Sequence, residues 1–245
     1  MNYAEDQNVL NLVVSREELL QETFSFIVSH YDFGCNLLSL GLQKFWKKRL
    51  VKIIAPKENE IILDVGCGTA DIPILISENF PKIVIYGVDI NKEMLDAGRA
   101  KINSLPITNV ELKEASVYNL PWPCDYFDAI SIAFVLRNID DQKKALAEIY
   151  RVLKPGGRLV SLGFFMPPKS IIRPVVEFWL FKAVPFLGKL IAKNKIHYEY
   201  LSESIRCNIH PKNRVKLFSE MGFKRIKYYQ SVLPYAIHIA FKNKS

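Results

Sequence analysis

From about residue 60 onward, short runs of apolar, often β-branched residues alternate with segments that have the period of amphipathic helices. Strands buried on both faces give continuous apolar runs, and the helices between parallel strands cover the two faces of the sheet. The predicted strands lie at 61–65, 83–88, 108–114, 127–134 and 158–164, and the predicted helices lie at 71–79, from Asn91, and from the acidic turn Asp140-Asp141 to about Leu153. The alternation therefore predicts an α/β fold with a Rossmann-like, mostly parallel sheet.

The segments on either side of this core have a different pattern. Residues 16–54 have the period of two amphipathic helices with a break near 32–36, and residues 165–222 are helical in pattern but interrupted by prolines. Lys154-Pro155-Gly156-Gly157 predicts a turn before the fifth strand. Two more strands are expected from Phe223 onward, as an antiparallel hairpin that brings the sheet to seven strands. We predict a single domain over 1–245, made of an N-terminal helical cap (1–55), a cofactor-binding core (56–164), an apolar and basic helical insert (165–222) and terminal strands (223–245).

A glycine-rich loop follows the first predicted strand and precedes a helix. Its sequence is Asp64-Val65-Gly66-Cys67-Gly68-Thr69-Ala70-Asp71. Gly66 and Gly68 lack a Cβ, so the backbone there can pass close to a ligand. The G-x-G-x-A spacing is one residue tighter than the G-x-G-x-x-G that seats a pyrophosphate at a helix N-terminus. Asp64, just before the glycines, would repel a pyrophosphate and would suit a cationic amino-acid group.

Asp89 ends the second strand, about 20 residues after the glycines, where a carboxylate can accept hydrogen bonds from ribose hydroxyls. Together with Asp64 it favours S-adenosyl-L-methionine, with S-adenosyl-L-homocysteine as its product, over a nicotinamide nucleotide; a structural turn with satisfied aspartates is the alternative. Ser116-Val117 lies after strand three, where methyltransferases of this class often carry an acid, and its hydroxyl can still bond adenine. The candidate cofactor-binding residues are Asp64, Gly66, Gly68, Thr69, Asp71, Asp89, Ile90, Ser116, Val117 and Phe134.

The charge of the chain is divided unevenly. Residues 1–150 carry 15 Lys and Arg against 21 Asp and Glu, whereas residues 151–245 carry 18 against 4. The basic part suggests contact with a phospholipid surface or a nucleic acid, and a basic solvated face explains it equally well. The 4 cysteines are scattered with no C-x-x-C pair, which predicts neither a disulfide framework nor a metal site.

Residues 170–195 contain both large apolar and cationic side chains, and another lysine, Lys169, directly precedes them. Such a stretch is typical of a segment at a membrane interface. A cover helix buried on the sheet is the competing interpretation. No transmembrane helix or signal peptide is predicted. We expect a cytoplasmic location, with peripheral attachment to the inner face of the membrane as a hypothesis.

Five stretches of the chain form a recognisable set. They are Tyr31-Asp32 with Ser39, Gly41 and Trp46; the run from Ala133 to Ile139; the run from Tyr150 to Arg158; the run from Tyr200 to Arg206; and His238 in the last strand. The set resembles the ubiquinone/menaquinone biosynthesis C-methyltransferase family, from about Phe24 to Lys242. The resemblance implies a class I methyltransferase that methylates the ring of a prenylated quinol precursor, demethylmenaquinol- or ubiquinol-like.

The chain departs from the family's usual pattern at two places. Cys35 and Gln43 stand where the family usually has Asn and His. Gly163-Phe164-Phe165 stands where it usually has Glu-x-Ser, so the site lacks an acid near the end of strand five. This second departure leaves the acceptor ring open, whereas the fold and the cofactor do not depend on it.

The resemblance also implies that Arg137 is catalytic, at the sheet edge where strand four ends. A guanidinium is a poor proton acceptor at neutral pH. We therefore expect Arg137 to stabilise a phenolate or to orient a water, with Asn138 holding the same oxygen; a surface ion pair is the alternative. Tyr31 in the N-terminal cap would close over the sulfonium, and His238 is the candidate proton acceptor, although single histidines are more often structural.

Three other functions stay open. The first is a methyltransferase whose acceptor is another lipid or small molecule, and the second is a methyltransferase that acts on RNA. Against RNA, Arg137-Asn138-Ile139-Asp140 replaces the Asn/Asp-Pro-Pro-aromatic motif that amino-methylating enzymes often carry after strand four, so no nucleic-acid partner is expected. The third is a non-catalytic cofactor-binding assembly subunit. The sequence also leaves open whether the chain forms a homodimer.

Overall fold

A computed structural model describes residues 39–187, 203–206 and 208–244. Its strands are β1 (Ile61–Val65), β2 (Val84–Asp89), β3 (Val110–Glu114), β4 (Phe127–Ala133), β5 (Leu153–Phe164), β6 (Lys224–Gln230) and β7 (Tyr235–Phe241). They form one seven-stranded sheet in the order β3-β2-β1-β4-β5-β7-β6. The pairs among β1 to β5 are parallel, and β7 pairs antiparallel with β5 and β6. The predicted Rossmann-like sheet with an antiparallel edge hairpin is confirmed.

The helices of the described residues include α1 (Gln43–Ile54), α2 (Asp71–Asn79), α3 (Lys92–Asn103), α4 (Gln142–Val152), α5 (Arg173–Phe178) and α6 (Pro211–Glu220). Three of them, α3, α4 and α6, begin after a residue whose side chain caps the first turn. Asn91 accepts the Met94 N–H at 2.9 Å and Asp141 accepts the Lys144 N–H at 2.9 Å, each satisfying a first-turn donor that has no partner inside its helix. The predicted acidic turn therefore precedes α4 and caps it.

The predicted turn at 154–157 is wrong in one respect, because these residues lie inside β5. The register with β4 moves from the pair Phe127–Leu153 to the pair Ala129–Arg158, so the intervening residues bulge out of the ladder. Their backbone groups find partners beyond the end of β7, where Gly156 donates to the Lys242 carbonyl and Lys242 donates to the Gly157 carbonyl, both at 3.0 Å. These bonds let the strand continue through the Pro-Gly-Gly sequence.

Helices cover both faces of the sheet. Trp46, Leu50 and Ile54 of α1 are buried in a cluster with α2 and apolar residues of β1 and β5, and α4 contributes Leu146 and Ile149 to a second cluster. The end of α1 is fixed to the sheet by Arg158, which pairs with Glu60 at 2.6 Å and donates to the Ile54 and Ala55 carbonyls. The C-terminal end of α1 therefore lies near the start of β1 and β5, and Trp46, nearer the N-terminus of the helix, packs near Phe134 at the carboxyl end of β4.

The described part of the insert has one packed face and one exposed face. After α5 the chain continues through a π-helical segment, Trp179–Ala183, and four more helical residues at 184–187. Leu180 and Val184 are fully buried, whereas Ile171, Val175 and Phe178 are exposed. No described helix is long and apolar enough to cross a membrane. The predicted helix break near 32–36 lies outside the described residues.

Candidate active site

The glycine loop turns sharply at the carboxyl end of β1. Gly66 and Gly68 have φ of +68° and +53°, in the left-handed region that favours glycine. The N–H groups of Gly66 and Cys67 both donate to the Val88 carbonyl, at 2.7 and 2.9 Å, which fixes the loop to β2. A Cβ on Gly66 would lie 2.3 Å from a methyl carbon of Val135, so no larger residue fits there without displacing the Val135 side chain.

Asp89 links this loop to the start of α3. One carboxylate oxygen accepts the Gly68 N–H at 2.8 Å and the other accepts the Asn91 N–H at 3.0 Å. Burial raises the pKa of Asp89, and these backbone donors oppose the rise. Ile90, next in the chain, is exposed although apolar. A fixed carboxylate beside an exposed apolar surface fits a ribose and its flat base.

The Asp64 side chain is buried beneath the glycine loop. It accepts a hydrogen bond from the Ser131 hydroxyl at 2.6 Å. Burial raises the pKa of Asp64 to about 7, against the Ser131 bond and the charge of Lys47, which lower it. A cation placed above this carboxyl group would favour its ionised form. The position therefore suits the cationic amino-acid group expected from the sequence.

Asp71 and Thr69 are held by two lysines that sequence reasoning missed. Asp71 pairs with Lys47 at 2.7 Å and Lys101 at 3.0 Å, and Lys101 also donates to Thr69 Oγ1 at 2.8 Å. Burial raises the pKa of Asp71, but the charges and hydrogen bonds of the lysines outweigh it, so that the pKa is lowered. These contacts favour a structural role for Asp71 and Thr69, in which they hold the glycine loop in place. No local signal marks the lysines, because they come from α1 and α3.

Ser116 and Val117 follow β3 on the same edge of the sheet. Ser116 Oγ accepts the Tyr118 N–H at 3.3 Å, and the neighbouring Ala115 N–H donates to the Asp89 carbonyl at 3.1 Å. Val117 packs against the α4 side of the core. The segment is thus joined to the end of β2, and an adenine contact with Ser116 stays a prediction.

Arg137 lies in a short 3-10 turn, Leu136–Asn138, at the carboxyl edge of β4. Its Nε donates to Ser204 Oγ at 3.0 Å and its Nη1 donates to the Phe134 carbonyl. The turn is closed by the Asn138 N–H, which donates to the Val135 carbonyl at 2.7 Å. Since Val135 also contacts Gly66, the structure brings Arg137, Asn138 and Phe134 to the edge that carries the glycine loop.

His238 has a different environment from Arg137. Its side chain is fully buried, Nε2 lies 2.9 Å from the Pro211 carbonyl, and the ring stacks on Tyr228 with centroids 5.7 Å apart. Burial lowers the pKa of His238 to about 4, so the ring is neutral at physiological pH. Enclosure by α6 favours a structural role over proton transfer. Tyr31 lies outside the described residues.

A large cavity of about 970 Å³ opens beside this edge, between α5 and the start of α6. Aromatic and cationic side chains share its wall, among them Phe165, Phe178, Phe181, Arg173 and Arg206. Arg206 lies over the Phe181 ring at 4.0 Å. The mixture suits a ligand that is apolar along much of its length.

The sequence pattern of the ubiE/COQ5 methyltransferase family matches residues 12–242. The chain belongs to this family. Family members are S-adenosylmethionine-dependent methyltransferases, and the chain is therefore an enzyme of that class. Among the residues that the structure describes, no three His, Cys, Asp or Glu side chains are grouped as metal ligands.

Individual ubiE/COQ5 relatives match over most of their length. The ubiquinone/menaquinone biosynthesis C-methyltransferase UbiE of Francisella philomiragia is 34% identical over 232 residues, which cover 93% of this chain and 92% of the relative. The enzyme of the same name from a Marinomonas species is 37% identical over 213 residues, covering 84% and 83%.

Solved structures with lower identity agree with the fold of this ubiE/COQ5 member. A SAM-dependent methyltransferase from Aquifex aeolicus has a TM-score of 0.58 at 20% identity, covering 80% of this chain and 88% of that one. Phosphoethanolamine N-methyltransferase 2 of Haemonchus contortus, in complex with S-adenosyl-L-methionine, has a TM-score of 0.69 at 15% identity, covering 95% and 61%. At such identities the likeness concerns the fold alone.

Proposed function

We propose that the chain transfers a methyl group from S-adenosyl-L-methionine to a ring carbon of a prenylated quinol precursor, in respiratory quinone biosynthesis. The names of its full-length relatives support this acceptor class. The observation that carries the proposal is the position of Arg137, which is held at the sheet edge by the Val135 contact with the glycine loop. That position puts a fixed cation beside the expected site of the reacting methyl group.

The residues around the loop fit the cofactor. Bound there, S-adenosyl-L-methionine supplies an electrophilic methyl group on a sulfonium centre. Asp89 would accept bonds from the ribose hydroxyls, Asp64 would face the cationic amino-acid group, and Ile90 would contact the base. The glycines allow the backbone to approach, since Gly66 has no room for a Cβ.

The acceptor ring must be electron-rich at the attacking carbon, which requires a neighbouring hydroxyl to ionise or nearly so. Arg137 would stabilise that oxyanion, because Ser204 and the Phe134 carbonyl hold the guanidinium in place before reaction. Phe134 and Phe164, with ring centroids 4.7 Å apart, form an apolar wall next to it. Exclusion of water by such a wall strengthens the interaction between the cation and the oxyanion.

The test combines cells and purified protein. Cells that lack the protein should accumulate a demethylated quinone, measured by mass spectrometry, and an unchanged quinone pool would refute the proposal. In the purified enzyme, Arg137→Ala should lower kcat by about 100-fold or more while leaving calorimetric affinity for S-adenosyl-L-homocysteine unchanged. Asp89→Ala should abolish that affinity. Arg49→Ala, on the exposed face of α1, is the matched control and should change neither quantity.

We also infer that the insert attaches the enzyme peripherally to an anionic membrane. Ile171, Val175 and Phe178 are exposed on and next to α5, with Lys169 and Lys182 nearby in the chain, and the cavity that could take an isoprenoid tail lies against the same helix. Apolar side chains flanked by cations are what binds an anionic lipid surface. The basic balance of residues 151–245 supports the same surface.

Flotation with liposomes tests this attachment. The wild type should float with vesicles that contain anionic phospholipid and less with neutral ones, and Val175→Ser/Phe178→Ser should stay at the bottom. Leu105→Ser/Val232→Ser removes exposed apolar side chains elsewhere and should float like the wild type. Absence of the wild type from both vesicle types would end the proposal.

A further inference from the structure

A second, much smaller cavity lies between helix α6 and the carboxyl edge of β4 and β5. Its volume is about 10 Å³, which is room for roughly one water-sized group. The polar side chains at its wall are those of Arg137, Ser161, Asn208 and Arg214, and no acidic residue is among the described residues that line it. The cavity is therefore far too small for a substrate ring, and two cationic residues share its wall.

Arg214 of α6 is a buried cation without a counter-ion in the described part of the chain. The residue is 1% exposed, and its guanidinium donates from Nη2 to Asn208 Oδ1 at 2.8 Å. Its Nε and Nη1 are buried without a hydrogen-bond partner. Burial lowers the pKa of Arg214 to about 10, so the guanidinium is still charged at neutral pH. Because an unpaired buried charge is costly, a group that offset this charge would stabilise the fold.

The groups around Arg214 hold it in place without neutralising it. Asn208 is itself fixed, because its Nδ2 donates to the Phe164 carbonyl at 2.7 Å. The guanidinium carbon lies 5.4 Å from the centre of the Phe165 ring, within the range of a cation–π contact. The ring of His238 lies 5.7 Å from that of Phe165, and burial lowers its pKa to about 4, so it carries no charge at neutral pH. Two N–H donors of a charged group are thus fixed beside the cavity.

Two kinds of occupant match the volume of this cavity, a water molecule and a monatomic anion. Water could accept hydrogen bonds from both remaining donors of Arg214, but it would leave the charge of the guanidinium without compensation. An anion accepts the same bonds, which become stronger because both partners are charged, and it also offsets the charge. Arg137 adds a second positive charge to the wall, and the Ser161 hydroxyl can donate as well. The charges therefore favour an anion over water.

We propose that this cavity is a binding site for one monatomic anion of the size of chloride, held by the Nε and Nη1 donors of Arg214 with Arg137 beside it. The site is independent of the quinol acceptor, which is too large to enter. A bound anion offsets part of the charge that the two arginines bring to this edge of the sheet. Because only the folded chain forms the cavity, the anion stabilises the folded state in proportion to its occupancy.

Thermal unfolding tests the site. The melting temperature of the wild type is measured at pH 7 in sodium chloride and in sodium gluconate of the same ionic strength, because gluconate is too large for the cavity. Chloride at about ten times its Kd should raise the ratio of folded to unfolded protein about 11-fold and the melting temperature by roughly 3–6 °C. Arg214→Met and Arg214→Gln should lose most of this difference between the salts, since neither has a guanidinium.

Two controls separate a site from a folding defect and from a general salt effect. Arg49→Met replaces an exposed arginine of α1 and should keep the full difference between chloride and gluconate. Arg214→Met should bind S-adenosyl-L-homocysteine normally and, in gluconate, should melt at an equal or higher temperature than the wild type, because it removes a buried charge. A chloride effect that persists in both Arg214 variants, or a wild type that melts alike in the two salts, would overturn the inference.

Anomalous diffraction identifies the occupant in the wild type, whatever the stability of the variants. Wild-type crystals soaked in sodium bromide should give a bromine peak within hydrogen-bonding distance of Arg214 Nε and Nη1. A water at this place without a bromine peak would contradict the proposal. A bromine peak combined with equal melting temperatures in chloride and gluconate would mean binding at crystal concentration only, which would contradict it too. None of these outcomes bears on methyl transfer to the quinol.

Discussion

Asp64 lies at the end of β1 with its carboxyl group buried, and burial raises its pKa to about 7. The Ser131 hydroxyl and the charge of Lys47 oppose this rise, whereas the neighbouring carboxylates of Asp89 and Asp71 add to it. An acid whose pKa is raised by folding binds more protons in the folded than in the unfolded state. Its ionisation therefore destabilises the fold.

We expect the ionisation of Asp64 to make the free energy of unfolding depend measurably on pH. The free energy of unfolding should fall as pH rises from about 4 to about 7 and should not change further above that. Between pH 5 and pH 8 the wild type should lose about 2–3 kcal/mol relative to Asp64→Asn, which has no charge to ionise. Urea denaturation of both proteins without cofactor measures the difference. Parallel losses in the two proteins would show that Asp64 does not titrate in this range.

The positive φ of Gly66 and its contact with Val135 lead to a second prediction. Gly66→Ala should destabilise the protein by about 1–3 kcal/mol and weaken binding of S-adenosyl-L-homocysteine, because the new Cβ meets Val135 and φ is positive. Gly66→Ala/Val135→Ala should recover part of the loss by removing the contact. Gly41→Ala is the control for backbone strain alone, since φ is +76° there and no atom lies within 4 Å. If the Gly41 variant lost as much as the Gly66 variant, the contact would not be the cause.

Sequence reasoning predicted residues whose role depends on local geometry, and it missed those whose role depends on long-range contacts. Asp64 and Asp89 lie at the ends of β1 and β2 and the glycines follow β1, so the pattern around these residues predicts their place at the sheet edge. Lys47 and Lys101 reach Asp71 from two helices that lie far from it in the sequence. Side-chain pairing across the fold leaves no local mark in the sequence.

Arg158 connects two secondary-structure elements, because its side chain in β5 contacts the end of α1. Arg158 and Glu60 side chains are only 12% and 14% exposed, and the guanidinium also satisfies carbonyls at the end of α1. We expect Arg158→Ala to cost about 3 kcal/mol, because it leaves a buried carboxylate without its partner. Lys82→Ala breaks the pair of Lys82 with Glu58, both of which are 69% exposed, and should cost under about 1 kcal/mol. Chemical denaturation of both variants gives the comparison; equal costs would contradict it.

The elements themselves were predictable to within a few residues. Asn91 and Asp141 cap their helices because first-turn N–H groups need acceptors, and the sequence shows where such acceptors stand. The local preference of the Pro-Gly-Gly sequence before Arg158 predicts a turn, because it carries no information about the bonds to Lys242. The extended conformation of this segment is stabilised instead by backbone hydrogen bonds with Lys242, which lies far along the chain.

For the whole molecule, the architecture follows from the order of elements. Five parallel strands, most of them joined by helices and followed by a terminal hairpin, have few ways to bury both faces of a sheet. The site lies at the carboxyl edge for the same reason, because the loops there come from neighbouring strands. The division of the chain into cap, core, insert and terminal strands stays a prediction, since residues 1–38 and 188–202 lie outside the described part.

Binding of the cofactor should stabilise the molecule as a unit. At a free concentration of about 100 times Kd, S-adenosyl-L-homocysteine should add about 2.7 kcal/mol to the free energy of unfolding. For a chain of this size the melting temperature should rise by roughly 5–10 °C. NAD at the same concentration should give no rise, because Asp64 disfavours a pyrophosphate. A comparable rise with NAD, measured by differential scanning fluorimetry, would contradict the assignment of the loop.

The contact between Gly66 and Val135 has a consequence for how such enzymes diverge. Since the valine methyl groups occupy the space of the missing Cβ, a heavier residue at position 66 becomes tolerable only after position 135 has shrunk. Position 135 in turn directly precedes the 3-10 turn that carries Arg137. A change in the glycine loop is thereby restrained by a residue that lies two positions before Arg137, and we expect substitutions at positions 66 and 135 to be paired.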